Sequence, residues 1–278
     1  MSTVAVAGLG LIGGSLARDL AAAGARVLGW DRDEGAVAAA AGEGIAALGP
    51  GLEGVEEADV LVIAVPVGAA AGVLERAMPR LASVRLVTDT GSTKASIVAA
   101  AERLGIGERF VGSHPFAGDH RAGWAASRTA LFDGATIYLS PTSRTTEDAM
   151  SLARELWRGV GGIPREISAA EHDARLAWTS HLPQALSGAL AAALADAGFA
   201  RGDLGTGGRS VTRLAASSPS LWADIFLDNR GPVTDALAAI EARIRHLREA
   251  IESGDADAIT RAAFPSSPEP WMDATQAQ

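Results

Sequence analysis

The chain has 278 residues, enough for two ordinary domains or one large one, with a full core. Its formal charge of -9, with no run of lysine or arginine, excludes a broad nucleic-acid-binding surface and leaves small molecules and other protein subunits as the expected partners. There is no cysteine, so disulfides, thiolate metal sites and cysteine nucleophiles are excluded.

Residues 4–15, Val-Ala-Val-Ala-Gly-Leu-Gly-Leu-Ile-Gly-Gly-Ser, run from a short apolar strand into a G-x-G-x-x-G turn. Gly8 permits the tight reversal, Gly10 lets a pyrophosphate approach the backbone, and Gly13 lets the next helix pack on the sheet. Leu11 and Ile12 sit between them, where the helix N-terminus meets the phosphates. A second strand over 26–30 ends in Asp31, 18 residues beyond Gly13, where a carboxylate accepts hydrogen bonds from the adenosine ribose hydroxyls. That acid favours NAD. Arg32 beside it keeps NADP open, because a guanidinium accommodates a 2′-phosphate.

Further strands are expected over 60–65, 86–89, 110–113 and 136–139, with helical segments between most of them. The alternation predicts an α/β fold, a doubly wound, largely parallel sheet of Rossmann type, over 1–167. Ligands in such sheets bind beyond the carboxyl ends of the strands. Those ends carry Val65-Pro66, the run from Asp89 to Lys94, and Ser113-His114-Pro115.

The pattern then becomes helical. Ser168 and Glu171 form a capping box, so a long helix is expected from about Ala169 and an all-α domain over 168–264. Asp173, Ser180 and Gln184 are spaced to share one face of that helix, with His181 at its shoulder, and Pro183 should interrupt it. Between 233 and 251, Val233, Leu237, Ile240, Ile244, Leu247 and Ile251 recur at alternating spacings of four and three. This near-heptad stripe needs a partner helix, which a homodimer supplies. The proline-rich stretch from Pro265 is expected to be poorly ordered. The first strand begins by residue 4 and the apolar run at 185–195 is too short to span a bilayer, so a cytoplasmic protein without membrane partners is expected.

Two groups of polar residues carry the expected chemistry. His114 follows a strand next to the anticipated nicotinamide region, and imidazole can accept a proton from a substrate hydroxyl as hydride departs. Ser92, on the neighbouring strand end, can bond that imidazole or the same hydroxyl. The five histidines, at 114, 120, 172, 181 and 246, show no paired ligand spacing, and no metal is expected.

As a set, the segments Gly8 to Ser15, Asp89 to Lys94, Ser113 to Gly118, His172-Asp173, Ser180-His-Leu-Pro-Gln184 and Thr212-Arg-Leu-Ala215 resemble the prephenate and arogenate dehydrogenases of tyrosine biosynthesis. The resemblance implies a Rossmann domain followed by a helical dimerisation domain, and oxidative decarboxylation of a cyclohexadienol. By it, His114 is the base for the ring hydroxyl, Ser92 orients it, and Arg213 holds a substrate carboxylate, with Arg209 as a second cation. Ser180, His181, Gln184 and His120 complete the implied substrate set. Two departures stand near the substrate side chain: Gln184 replaces a histidine common in prephenate-specific members, and Asp119-His120 replaces an acidic residue. They leave prephenate and arogenate both open. No C-terminal regulatory domain is expected, so tyrosine inhibition would be competitive. A β-hydroxyacid dehydrogenase would carry a lysine in the long helix, and residues 169–195 have none. A non-catalytic NAD-binding sensor is the remaining alternative on fold alone.

Overall fold

A computed structural model describes residues 2–118, 121–264 and 266; His120, with Asp119, and nearly all of the tail from Pro265 lie outside the described residues. In chain order the strands are β1 (Thr3–Ala7), β2 (Arg26–Trp30), β3 (Ala46–Ala47), β4 (Val60–Ile63), β5 (Leu86–Asp89), β6 (Phe110–Pro115), β7 (Thr136–Pro141) and β8 (Ile163–Glu166). They form one eight-stranded sheet in the order β3-β2-β1-β4-β5-β6-β7-β8. Neighbours are parallel except β6 with β7. The order reverses at β1, which lies between β2 and β4, and this is where a doubly wound sheet opens a crevice.

Helices α1 (Leu11–Ala22), α2 (Glu34–Gly42), α3 (Val67–Ala77), α4 (Ala95–Arg103) and α5 (Glu147–Gly159) accompany the sheet. Strand alternation divides the core in two. Val4, Val6 and Val62 pack with Leu16 and Leu20 of α1 and Leu156 and Trp157 of α5, while Ala5, Ala7, Leu61 and Ile63 pack with Leu74 of α3 and Ile97 of α4. Both faces of the central strands are therefore buried, which explains their continuous apolar sequence.

Two strands were not expected. β3 has only two residues, and β8, Ile-Pro-Arg-Glu, is an edge strand with a proline and two charges, so neither carries an apolar signature. The expected strand over 60–65 stops at Ile63, and that over 110–113 runs on to Pro115, because β6 pairs with β7 with His114 opposite Tyr138. His114 thus lies inside its strand.

After Glu166 only helices follow among the described residues: α6 (Ala169–Leu176), α7 (Leu182–Asp196), α8 (Thr206–Val211), α9 (Pro219–Asp228), α10 (Arg230–Ser253) and α11 (Ala256–Ala263), with short 3-10 turns. Both halves of the Ser168–Glu171 capping box are made. The expected interruption at Pro183 takes the form of a π-helical turn over Ala177–His181. Proline has no amide to offer and its ring crowds the carbonyl four residues back, so the turn before it widens by one residue. The chain divides into two compact units, Met1–Arg230 and Gly231–Gln278. In the second unit Ile244 and Ile251 of the heptad stripe are 55% and 59% exposed. No helix among the described residues is long and apolar enough to cross a membrane.

Candidate active site

The glycine turn is built as its spacing demands. Gly8 sits at φ +107°, and a side chain there would place Cβ 2.3 Å from the Ala64 carbonyl oxygen at the end of β4. At Gly13 a Cβ would lie 1.9 Å from the Gly8 carbonyl oxygen. Gly10, by contrast, faces open space, with nothing within 4 Å of an added Cβ. Two glycines are therefore required by the fold, and the third leaves room above the first turn of α1, with its unpaired amides. Asp31 accepts from the Leu9 amide at 2.6 Å and, through its other oxygen, from the Asp33 amide at 2.9 Å. It braces the turn and stays half-buried beside exposed Arg32. Val65 and Pro66 follow β4, and Pro66 caps α3. A dinucleotide fits this set: open space at Gly10, a helix N-terminus, and a carboxylate at the end of β2.

The chain after β6 returns to the same turn. An added Cβ at Gly118 would lie 3.8 Å from Ile12 Cδ1 and 3.9 Å from Leu11 Cδ2, so the segment that follows His114 passes over the start of α1. Phe116, half-exposed in that segment, meets His114 edge-on with ring centres 6.0 Å apart.

His114 is buried and anchored from the helical half. Its Nδ1 lies 2.9 Å from Nε2 of His172, whose Nδ1 lies 2.8 Å from Asp173 Oδ1. Asp173 also accepts the Lys94 amide at 2.8 Å and the Ala95 amide at 2.9 Å, and so caps the N-terminus of α4 from a different helix. Against burial, which raises it, the bonds from His172 and those two amides hold the Asp173 carboxyl below its ordinary range. Burial, reinforced by the charges that His172, Lys94 and His181 can carry, pushes the His114 imidazole well below the ordinary histidine value. The ring is therefore neutral, as a proton acceptor must be.

Beneath it, Lys94 and Asp89 form a fully buried ion pair, and Lys94 Nζ also donates to the Ser113 carbonyl at 2.7 Å. Burial lowers the Lys94 ammonium and raises the Asp89 carboxyl, each opposed by the other's charge. The pair ties the end of β5 to β6 next to His114. Lys94 is a member of this site that the residue pattern did not single out. So is His172, whose link to His114 spans 58 residues.

On the helical side the widened turn shifts the expected face. His181 is fully buried, whereas Ser180 is only half-buried. The Asn229 amide nitrogen donates to the Asp173 carbonyl at 2.8 Å and to His181 Nδ1 at 2.9 Å. This leaves the His181 proton on Nε2, a buried donor with no partner among the described residues. Burial lowers the His181 pKa to about 4. Gln184 donates from Nε2 to the Leu214 carbonyl at 2.8 Å, fixing the turn that carries Arg213. Arg213 and Arg209 are both exposed, with no ion pair to another described residue. Ser92 is half-buried, and no hydrogen bond joins it to His114.

Comparison with known proteins matches residues 16–164 to the family described as prephenate dehydrogenase, nucleotide-binding domain, and residues 168–263 to prephenate dehydrogenase, dimerization domain. The prephenate dehydrogenase of Bacillus subtilis is 35% identical over 273 residues, covering 93% of this chain and 72% of that protein. The crystal structure of Aquifex aeolicus prephenate dehydrogenase in complex with hydroxyphenyl propionate and NAD+ superposes with a TM-score of 0.86 at 31% identity, covering 95% of each chain. Synechocystis arogenate dehydrogenase gives a TM-score of 0.80 at 28% identity, covering 94% of this chain and 96% of that one.

Proposed function

The chain belongs to the prephenate dehydrogenase family, and from that premise we propose that it converts prephenate to 4-hydroxyphenylpyruvate by NAD-dependent oxidative decarboxylation. The observation that carries the reading is His114: a buried, neutral imidazole anchored through His172 and Asp173, followed by a segment that returns over the dinucleotide turn.

Gly8, Gly10, Leu11, Ile12, Gly13, Asp31, Arg32, Val65 and Pro66 would hold the cofactor, which when bound supplies the hydride acceptor. His114 takes the proton of the ring hydroxyl as that carbon becomes a carbonyl, and Ser92 orients the imidazole once substrate is present. Loss of the ring carboxylate as carbon dioxide then makes the ring aromatic. The proton on His114 returns to the oxygen, so prephenate and NAD give 4-hydroxyphenylpyruvate, carbon dioxide and NADH with no net proton. Arg213, with Arg209 as a second cation, binds a substrate carboxylate as a bidentate fork. The His181 Nε2 proton is a fixed donor for a substrate oxygen, Ser180 and Gln184 stand with it on the helical side, and His120 is a further substrate-binding residue by the family resemblance.

Arogenate is the second reading. Gln184 presents a neutral amide whose nitrogen is already donated to Leu214, so that position offers no cation to a keto-acid side chain. NADH formation with prephenate and arogenate offered in parallel, and with NADP in place of NAD, tests the proposal and ranks the substrates.

Residues 168–264 serve in this proposal as the substrate and dimerisation domain of a cytoplasmic homodimer. The exposed Ile244 and Ile251 of α10 supply the apolar stripe, and a second copy supplies its partner helix. Sedimentation equilibrium should return twice the chain mass for the wild type, and Ile244→Asp should shift it toward the monomer. A wild type that sediments as one chain would remove the dimer from the proposal.

A further inference from the structure

The three side chains behind the site form a directed line, His114 Nδ1 to His172 Nε2 at 2.9 Å and His172 Nδ1 to Asp173 Oδ1 at 2.8 Å. The carboxylate can only accept, because its oxygens already take the Lys94 and Ala95 amides, so the proton of the second contact belongs to His172 Nδ1. One hydrogen lies on the first contact. A His172 whose one ring hydrogen faces the carboxylate from Nδ1 carries its lone pair on Nε2, and His114 Nδ1 then supplies the hydrogen of that contact.

We propose that His172, held by Asp173, is a positioning residue that fixes His114 in the Nδ1–H tautomer, presenting Nε2 as the bare acceptor for the substrate hydroxyl. The functional half of this inference rests on the dehydrogenase reading; the tautomer itself does not. Donor direction decides whether the ring can act. An imidazole with its hydrogen on Nε2 would offer a donor to the hydroxyl and could not take its proton. When Nε2 does take the proton, the resulting cation keeps its Nδ1–H bond to His172, whose own hydrogen faces the Asp173 carboxylate. Charge formed inside the site is thus met by a line of dipoles ending in an anion, without moving any side chain.

The arrangement is over-determined. Asp173 is held by the amides that start α4, the Asn229 side chain holds the Asp173 carbonyl, and Tyr138 packs edge-on against His172 with ring centres 5.4 Å apart. None of these contacts depends on substrate or cofactor, so the tautomer is set in the free protein.

Long-range proton–nitrogen spectra of the full chain labelled in histidine nitrogen, assigned by single substitution of its five histidines, read this directly. The expected pattern has protonated Nδ1 and bare Nε2 for both His114 and His172. A His114 signal with the hydrogen on Nε2 would overturn the proposal. His172→Gln should lower kcat ten- to a hundredfold with KM within about twofold, and should give His114 as a mixture of tautomers. An unchanged kcat, or a His114 signal still wholly Nδ1-protonated in that variant, would equally overturn it. If His172→Gln does not fold, the wild-type spectrum still decides. If the wild type oxidises neither prephenate nor arogenate, the dehydrogenase reading fails while the spectrum still tests the tautomer.

Discussion

His114→Asn should lower kcat by a factor of about 10² to 10⁴ and leave the Kd for NAD within about twofold, measured by steady-state kinetics and by calorimetry on the same preparation. The separation follows from where the side chain sits. His114 is the fifth residue of β6, and its ring is engaged with His172, not with the glycine turn that would hold the dinucleotide. Asparagine is polar and close in size near the backbone, so β6 and its pairing with β7 should survive. What asparagine lacks is a basic lone pair. Loss of NAD binding together with turnover would instead make His114 part of the cofactor cradle.

The same residue sets an expected pH profile. Only the neutral ring accepts a proton, and burial together with His172, Lys94 and His181 keeps protonation well below the ordinary histidine range. As pH falls through about 6.5, where a solvated imidazole would charge, kcat/KM should stay flat and decline only at distinctly lower pH. An acidic limb at or above that ordinary value would contradict a buried neutral base.

Arg213→Leu should raise KM for the substrate about a hundredfold with a much smaller change in kcat, a pattern that marks loss of an interaction made equally in ground and transition states. Arg213 is exposed and without an ion-pair partner among the described residues, yet its turn is fixed from two sides. Gln184 donates to the Leu214 carbonyl at 2.8 Å and the Ala215 amide donates to Ser187 Oγ at 3.2 Å. A charged head on a fixed base, left uncompensated, is suited to an anionic ligand. Arg213→Lys should recover only part of the loss, because an ammonium keeps the charge but not the fork. An unaltered KM in Arg213→Leu would remove this residue from the substrate site and direct attention to Arg209.

Much of this was legible in the residues because local chemistry dictated it. The glycine turn, the strand before it and the acid after β2 each follow from rules acting within a few residues, as does the Ser168–Glu171 cap. What escaped depends on distance or on weak local signal. β3 and β8 are edge strands without apolar patterns, placed by pairing with β2 and β7 and, for β8, by the ion pair of Glu166 with Arg154 of α5. The stop of β6 was misplaced because only the partner strand β7 carries it to Pro115. Pro183 announced a break, but a proline says nothing of how the preceding turn absorbs it, and the widened turn exchanged Ser180 for His181 on the buried face. His172 and Lys94 were visible as members of motifs and silent as to role. Their partners lie on other elements, and Lys94 reads in isolation as a surface lysine, not as half of a buried pair.

The most direct measurement of the central claim is the product balance of the purified wild type with prephenate and NAD. The expected result is one NADH and one carbon dioxide for each 4-hydroxyphenylpyruvate formed, abolished in His114→Asn. NAD binding without turnover of either prephenate or arogenate would contradict the dehydrogenase reading and leave His114 without a catalytic role.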